Sequence, residues 1–337
     1  MKKVPPPRGA HLRGRRKRRK RRMLDRLLGC LPGPVRHSLI RSRAVFNNAL
    51  MDGVYVDVAT DVETYLAAFR LVHEAYLGRG WITPQPSGLW VTPHHMLPES
   101  TIFVMRKGDA CLGTVALIED SMMGLPIDHT YPVETASLRT TGGRLVEVGS
   151  LAIVPEIRGS GLVALLMGAM WRYARERLHA SDLVIAVSAD ADQYYEALFH
   201  FLTYTPVRHY EGFGTTATAK DYDPVVGLHQ NIAAAMAFSD GCWKLPPEGC
   251  FNIRSLIEMP FPATFEHVPP PHLAEAELTR YKLSRAVFQR LFDEHTGLLA
   301  NLDARTRAYL SRSRSRDTLQ LPFDPRLLPL LEGAAAG

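Results

Sequence analysis

Apolar and polar residues alternate along Val54-Tyr55-Val56-Asp57-Val58-Ala59, a period of two that predicts a half-buried strand. The period then changes. Val62, Leu66, Phe69, Val72 and Tyr76 recur three or four residues apart, which predicts a helix over 62–77 with one buried face. Thr60 and Asp61 mark its start, and Gly78 and Gly80 its end. A Pro-rich loop follows over 83–100; loops this long inside a compact domain are usually functional. Two apolar runs, 101–105 and 111–118, meet across Arg106-Lys107-Gly108-Asp109 and predict a strand pair. After a polar excursion over 119–143, residues 144–154 predict another strand, and 155–161 a tight turn. A long helix over 162–178, a strand over 182–187 and a helix bearing Tyr194, Tyr195, Leu198 and Phe199 complete the series. Strand, helix, three strands, helix, strand, helix is the order of a mixed α/β layer fold, antiparallel in its first half.

The flanks read differently. Leucines and arginines are interspersed over 23–48, so residues 23–50 form an amphipathic helical lead-in to a central domain over 51–230. Prolines mark a linker over 231–271. Two helices, Ala274–Glu294 and Leu298–Ser311, are expected in an extension over 272–337, read as a cap or an oligomerisation element without chemistry of its own. The 337 residues, 46% of them apolar, suffice for one sizeable core and a smaller appended unit. No apolar run approaches the roughly 18–20 residues that a bilayer requires. Gly29, Cys30, Pro32 and Pro34 interrupt Leu27, Leu28 and Leu31, so no secretory signal is read. Cys30, Cys111, Cys242 and Cys250 are too scattered for a disulfide framework or a zinc site and fit a reduced compartment, the cytoplasm by default.

Charge divides the chain. The net charge is +6, yet residues 1–22 alone hold twelve Lys or Arg and no acid. The remainder carries 28 basic against 34 acidic residues, a balance of −6. The run Arg13–Arg22 repels itself and has nothing apolar to bury, so it cannot fold alone. It reads as a disordered solvated arm, or as an attachment to an acidic partner such as a carrier protein or the anionic inner face of a membrane, or as a start codon placed too early before Met23. The negative body speaks against nucleic acid as the partner.

The strongest local chemistry is an apolar strand ending at Pro155, then Arg158-Gly159-Ser160-Gly161, then a helix rich in Leu and Met. A glycine-rich turn opening a helix presents backbone N–H groups beside the positive end of the helix dipole, an arrangement suited to the phosphates of a pantetheine carrier. Glycine lets the anion approach where a side chain would block it. Alternation places Glu147 and Gly149 on one strand face and Val146 and Val148 on the other, leaving open which is buried. His94-His95 in an extended loop would point apart with no third ligand, so no metal site is expected.

The segment Val154–Leu162 resembles the acyl-donor motif of the GNAT superfamily through Arg158 and Gly161, with Val163 where the last small residue of the pattern falls. Ala191–Tyr195 followed by Phe201 is similar to that superfamily's closing helix, with His200 in place of its glycine. Across 54–225 the segments Phe69–Tyr76, Gly80–Ile82, Gly113–Ser121, Gly124–Asp128, Glu134, Leu138-Arg139 and Glu147–Ala152 resemble, in order and spacing, the long-chain N-acyl amino acid synthases. These are GNAT relatives that also resemble acyl-homoserine-lactone autoinducer synthases. The resemblance implies a mostly antiparallel central sheet flanked by helices. It also implies a fatty acyl donor, an acyl carrier protein 4'-phosphopantetheine thioester or acyl-CoA, and an amino acid or similar small amine as acceptor.

Arg158, Gly159, Ser160 and Gly161, with Leu151 and Ile153 of the preceding strand, would then hold the donor. Asp120, Asp128, Glu134 and Arg139 would border the acceptor pocket, Arg139 pairing with an acceptor carboxylate. Aminolysis of a thioester needs a base for the amine proton and a donor for the oxyanion. Glu147, inside an otherwise apolar strand, is the candidate base, since burial raises a carboxyl pKa; a surface glutamate or a partner of Arg144 or Arg139 is the plainer reading. Backbone N–H groups near Ser150–Ala152 would meet the oxyanion, and Tyr195 is the candidate acid for the leaving thiolate or else a core aromatic. An acetyl-CoA-dependent acetyltransferase and a non-catalytic acyl-binding module are the alternatives.

Overall fold

The computed structural model describes residues 30–42, 50, 52–189, 191–210, 213, 216–222, 287–288, 290–297, 302 and 304–315. The basic arm, the Pro-rich linker, Cys242 and Cys250 lie outside these residues.

The strand β1 (Val54–Val58) follows a first helix, α1 (Gly33–Ser42), and precedes α2 (Val62–Arg79). Asp61 caps α2, its side chain accepting from the Thr64 backbone at 2.9 Å and from the Thr64 hydroxyl at 2.7 Å. Gly80 ends it in the left-handed region at φ 73°, where its N–H reaches back to Leu77. The loop that follows contains a short 3-10 turn, Pro93–Met96, so His94 and His95 sit on a helical turn and are both buried. They are not extended, as the sequence had suggested.

Strands β2 (Ser100–Lys107), β3 (Ala110–Glu119) and β4 (Leu145–Ile153) pair antiparallel with β1 and with one another in that order. The polar excursion between β3 and β4 is ordered as a 3-10 turn, Pro126–His129, and a helix, α3 (Pro132–Thr140). After β4 come α4 (Val163–Glu176), β5 (Asp182–Ser188) and α5 (Asp192–Phe199). Three further strands close the sheet: β6 (Leu202–Thr203), β7 (Arg208–His209) and β8 (Thr216–Tyr222). Among the described residues eight strands run β1-β2-β3-β4-β5-β8-β6, with β7 also on β8, and β4–β5 is a parallel pair among antiparallel ones. A further helix, α6 (Ala304–Ser315), lies within the expected extension.

Alternation along the strands sorts the core into two layers. Phe103, Met105, Val115 and Leu117 face α4, whose Leu165, Leu166, Met167 and Met170 are buried against them. Ile102, Val104 and Ala116 face the other way, onto Tyr65, Leu66 and Phe69 of α2. Each fully buried Leu or Phe here contributes about 1.5–3 kcal/mol. Leu291, Phe292 and Leu310 enter that second layer, so the C-terminal segments complete the core of the central domain. The helix α4 is buried along most of its length, and its Trp171 ring lies 5.6 Å from that of Phe199 at the end of α5. Fully buried Lys220 ties β8 to α5, its ammonium 2.7 Å from Asp192 and 3.0 Å from Glu196. His200 takes the left-handed cap of α5 at φ 57°, the conformation for which glycine is the usual choice. Among the described residues no helix is long and apolar enough to cross a membrane.

Candidate active site

The strands β4 and β5 stay paired only from Leu145↔Asp182 to Glu147↔Val184. Beyond that point β4 remains bonded to β3 and β5 to β8, so the sheet splits between them. At the split β4 also bulges: Thr114 pairs with Ala152 and Ala116 with Gly149, leaving Ser150 and Leu151 opposite the single residue Val115. A cavity of about 590 Å³ occupies the gap, lined by Gly149–Ile153 on one side and Ile185–Ser188 on the other. Glu147, Tyr195, Arg158, Gly159 and Gly161 all open onto it. One continuous cavity therefore joins the glycine turn to the buried carboxylate.

The glycine turn has the backbone its sequence demands. Gly159 and Gly161 stand at φ 82° and 86°, where a side chain would be strained. A 3-10 turn, Pro155–Ile157, leads into it, and no side chain caps the first turn of α4. Arg158 Nε donates to the carbonyl of Ile153 at 3.0 Å, and Ser160 Oγ donates to Ile157 at 2.7 Å. Arg158 and Ser160 thus brace the loop, while its glycines leave room at the surface.

Glu147 is 3% exposed. Its neighbours Val146 and Val148 are equally buried, so β4 is covered on both faces and alternation alone could not decide where the carboxylate points. Its Oε2 accepts from the Ile127 backbone N–H at 2.8 Å. Burial raises its pKa well above the ordinary carboxylate range, only partly opposed by the Ile127 bond and by Arg139. Tyr195 is raised to about 12 by the same cause.

Behind Glu147 lies a closed ionic network. Arg139 Nε and Nη2 donate to Asp120 at 2.6 and 2.8 Å, and Nη1 and Nη2 donate to Asp128 at 3.1 and 2.7 Å. Asp128 also accepts from the Leu125 backbone at 2.7 Å. Burial raises the Asp120 pKa, and Arg139 opposes the rise. Arg139 was expected to meet an acceptor carboxylate; instead two carboxylates of the chain itself consume its fork. None of Asp120, Asp128 and Arg139 lines the cavity. Glu134 is elsewhere, paired with Arg208, which also donates to Thr130 O at 3.0 Å and stacks 4.9 Å over the Tyr131 ring. The structure thus gathers Asp120, Asp128, Arg139 and Glu147 into one cluster and leaves Glu134 out of it.

Sequence reasoning missed much of the wall. Tyr76, Trp81, Trp90, Tyr210 and Phe213 form one ring cluster lining the cavity, with Phe213 centroids 5.3 Å from Trp90 and 5.4 Å from Tyr76. Arg79 lines it too, 4.7 Å over the Trp81 ring. Ile40 of α1 contributes from before the first strand. Tyr76 and Arg79, three residues apart near the end of α2, were the one signal available, because that end leaves the buried face. Among the described residues no group of His, Cys, Asp or Glu could hold a metal ion.

Residues 67–223 match the family model described as N-acyl amino acid synthase FeeM. The structure of FeeM, an N-acyl amino acid synthase from uncultured soil microbes, is 25% identical, covering 54% of this chain and 97% of that one, with a TM-score of 0.48. BjaI, a CoA-dependent acyl-homoserine lactone synthase, is 15% identical over 65% of this chain and 95% of its own, with a TM-score of 0.45. The acyl-homoserine lactone synthase LasI is 14% identical over 51% and 89%, with a TM-score of 0.39. A comparison with curated proteins gave no match. Through residues 67–223, a little under half of its length, the chain is similar to the FeeM-type N-acyl amino acid synthases.

Proposed function

We propose that the chain moves a long acyl group from a pantetheine thioester, carried by an acyl carrier protein, to the amine of an amino acid or similar small acceptor. The observation that supports this most is the continuity of the cavity from the Arg158–Gly161 turn to buried Glu147. The phosphate of the carrier arm docks at the turn, and the arm runs along the unpaired edge of β4. Glu147, which burial makes a stronger base than an exposed carboxylate, deprotonates the amine. The nitrogen lone pair forms the C–N bond, and the carbonyl electrons move onto oxygen. Backbone N–H groups at the bulge meet that charge. Collapse breaks the C–S bond, Tyr195 gives its proton to the thiolate, the amide nitrogen loses its surplus proton to restore the phenol, and Glu147 releases its own proton to solvent. The aromatic and aliphatic wall keeps water from the thioester and accommodates a chain longer than acetyl. Asp120, Asp128 and Arg139 brace the turn whose Ile127 N–H donates to Glu147, without touching the acceptor. Within this reading the protein works in the cytoplasm, and its basic arm draws in the acidic carrier or an anionic surface.

The test is acyl transfer followed by mass spectrometry, with long-chain acyl carrier protein and acyl-CoA each offered against a pool of amino acids. Carrier-dependent N-acyl product that falls about 10²–10⁴-fold in Glu147→Gln is the expected result. Product from acetyl-CoA alone, or full activity in Glu147→Gln, would reject this assignment.

A further inference from the structure

The bulge on β4 carries a side chain that the steps above leave unused. Ser150 stands at φ 51°, a left-handed conformation uncommon for any residue with a Cβ. Such strain persists only where the surroundings impose it, and it collects at functional sites. The Ser150 hydroxyl lies 2.9 Å from Nε2 of His95, and His95 is 3% exposed. The other ring nitrogen, Nδ1, is 3.0 Å from the backbone N–H of Thr92.

The Thr92 backbone contact fixes the direction at the ring, and the Thr92 hydroxyl, 3.1 Å from Nδ1, can donate to the same nitrogen. A backbone N–H can only donate, so Nδ1 is the acceptor and the neutral ring carries its hydrogen on Nε2. Burial keeps the ring neutral by pushing its pKa down to about 3. Nε2–H therefore donates to Ser150 Oγ. A serine activated as a nucleophile needs the opposite direction, with the imidazole accepting its proton. The hydroxyl's own hydrogen is left for another acceptor, and Thr92, His95 and Ser150 all line the cavity that holds Glu147.

We propose that Ser150 Oγ–H, oriented by His95, donates to the carbonyl oxygen of the donor thioester and to the oxyanion that this oxygen becomes. The proposal rests on the acyl-transfer reading above. As the amine attacks, the carbonyl electron pair moves onto oxygen; it returns as the thiolate leaves, and the serine keeps its proton throughout. His95 is a positioning residue, acting only through Ser150. Ser150→Ala keeps the Cβ and hence the backbone strain while removing the donor.

Two unreactive donors separate this role from general binding. One is a long-chain acyl-CoA ketone with a methylene in place of sulfur, which retains the carbonyl. The other is an S-alkyl-CoA thioether, which lacks it. With the full-length protein, Ser150→Ala is expected to weaken the ketone about 5–10-fold and leave the thioether unchanged. In turnover, Ser150→Ala lowers kcat about 10–100-fold at near-constant KM. The acid limb of the pH profile, which belongs to Glu147, stays in place. His95→Gln has a smaller effect on kcat, and the double variant is no slower than Ser150→Ala alone. Equal affinity of the wild type for ketone and thioether, equal loss of both in Ser150→Ala, or additive losses in the double variant would overturn the proposal. If His95→Gln does not fold, the ketone–thioether difference in Ser150→Ala decides alone. Because binding needs no turnover, the two readings fail separately. Normal transfer without ketone selectivity sinks the serine role only. Ketone selectivity without any N-acyl product sinks the synthase reading and leaves the serine bond standing.

Discussion

Arg139→Met removes a cation of similar bulk from between two carboxylates, and the structure sets the size of the effect. Four hydrogen bonds of 2.6–3.1 Å disappear. The Asp128 side chain is 2% exposed and that of Asp120 17%, so water cannot replace the guanidinium at Asp128 and replaces it only in part at Asp120. Breaking a buried pair in this way costs about 3–5 kcal/mol, mostly as the uncompensated charge left behind. For a domain of this size that is a fall of roughly 6–20 °C in Tm. The loss carries a pH signature. Burial already raises the Asp120 pKa, and Arg139 is what opposes it. Without Arg139 the folded pKa rises further above the unfolded one. Between those two values the folded variant holds a proton that the unfolded chain has released, so its stability falls as pH rises through that window. Urea melts of variant and wild type at about pH 5.5 and about pH 7.5 should show a larger gap at the higher pH. Replacing Asp120 and Asp128 by Asn together with Arg139→Met should recover part of the loss. A gap below about 1 kcal/mol, or one independent of pH, would mean that the network is not the closed buried system inferred from its geometry.

If Glu147 is the base proposed above, kcat/KM has an acid limb that rises with pH, its midpoint lies above the ordinary carboxylate range, and Glu147→Gln removes the limb. Gly113→Ala puts a Cβ 2.7 Å from Ile153 Cδ1, 3.1 Å from Met105 Cε and 3.3 Å from the Ala152 carbonyl, so a chemical melt should show about 1–3 kcal/mol of destabilisation. Asp61→Ala loses the cap of α2 and should cost about 1 kcal/mol in the same melt, whereas Asp61→Asn should retain most of it.

Where the core repeats along the chain, the sequence already carried the fold. The helix α2 and strands β1 to β5 have buried positions at helical or strand spacing and fall within a few residues of the expected spans. The helix α3 has no such stripe: Val133 is 76% exposed and only Thr135 is buried, so nothing periodic marks it. The short strands β6 and β7 owe their existence to β8 as a partner, a long-range fact with no local trace. At the site, Glu147 and the glycine turn were legible because an acid in an apolar strand and two glycines before a helix are local anomalies. The engagement of Arg139 was not, because its partners lie 19 and 11 residues away and only the fold decides that both reach it. Ser150 was hidden for a similar reason. Its bulge exists only relative to β3, and its histidine stands 55 residues earlier on a turn that looked extended.

Ile40 lines the cleft from α1, which the sheet does not need for its own pairing. Its helix is held by Ala197, Tyr194 and Leu198 of α5 and by a 3.4 Å contact between His37 Nε2 and Glu196 Oε2. A chain clipped after residue 42 would keep both core layers and lose from its circular dichroism the contribution of α1. Solvent would nevertheless enter through the missing wall and compete with the amine for the same carbonyl. On the acyl-transfer proposal such a fragment would consume thioester and release free acid, so a preparation that looks like a poor synthase and a fair hydrolase should first be checked for the loss of its N-terminal helix.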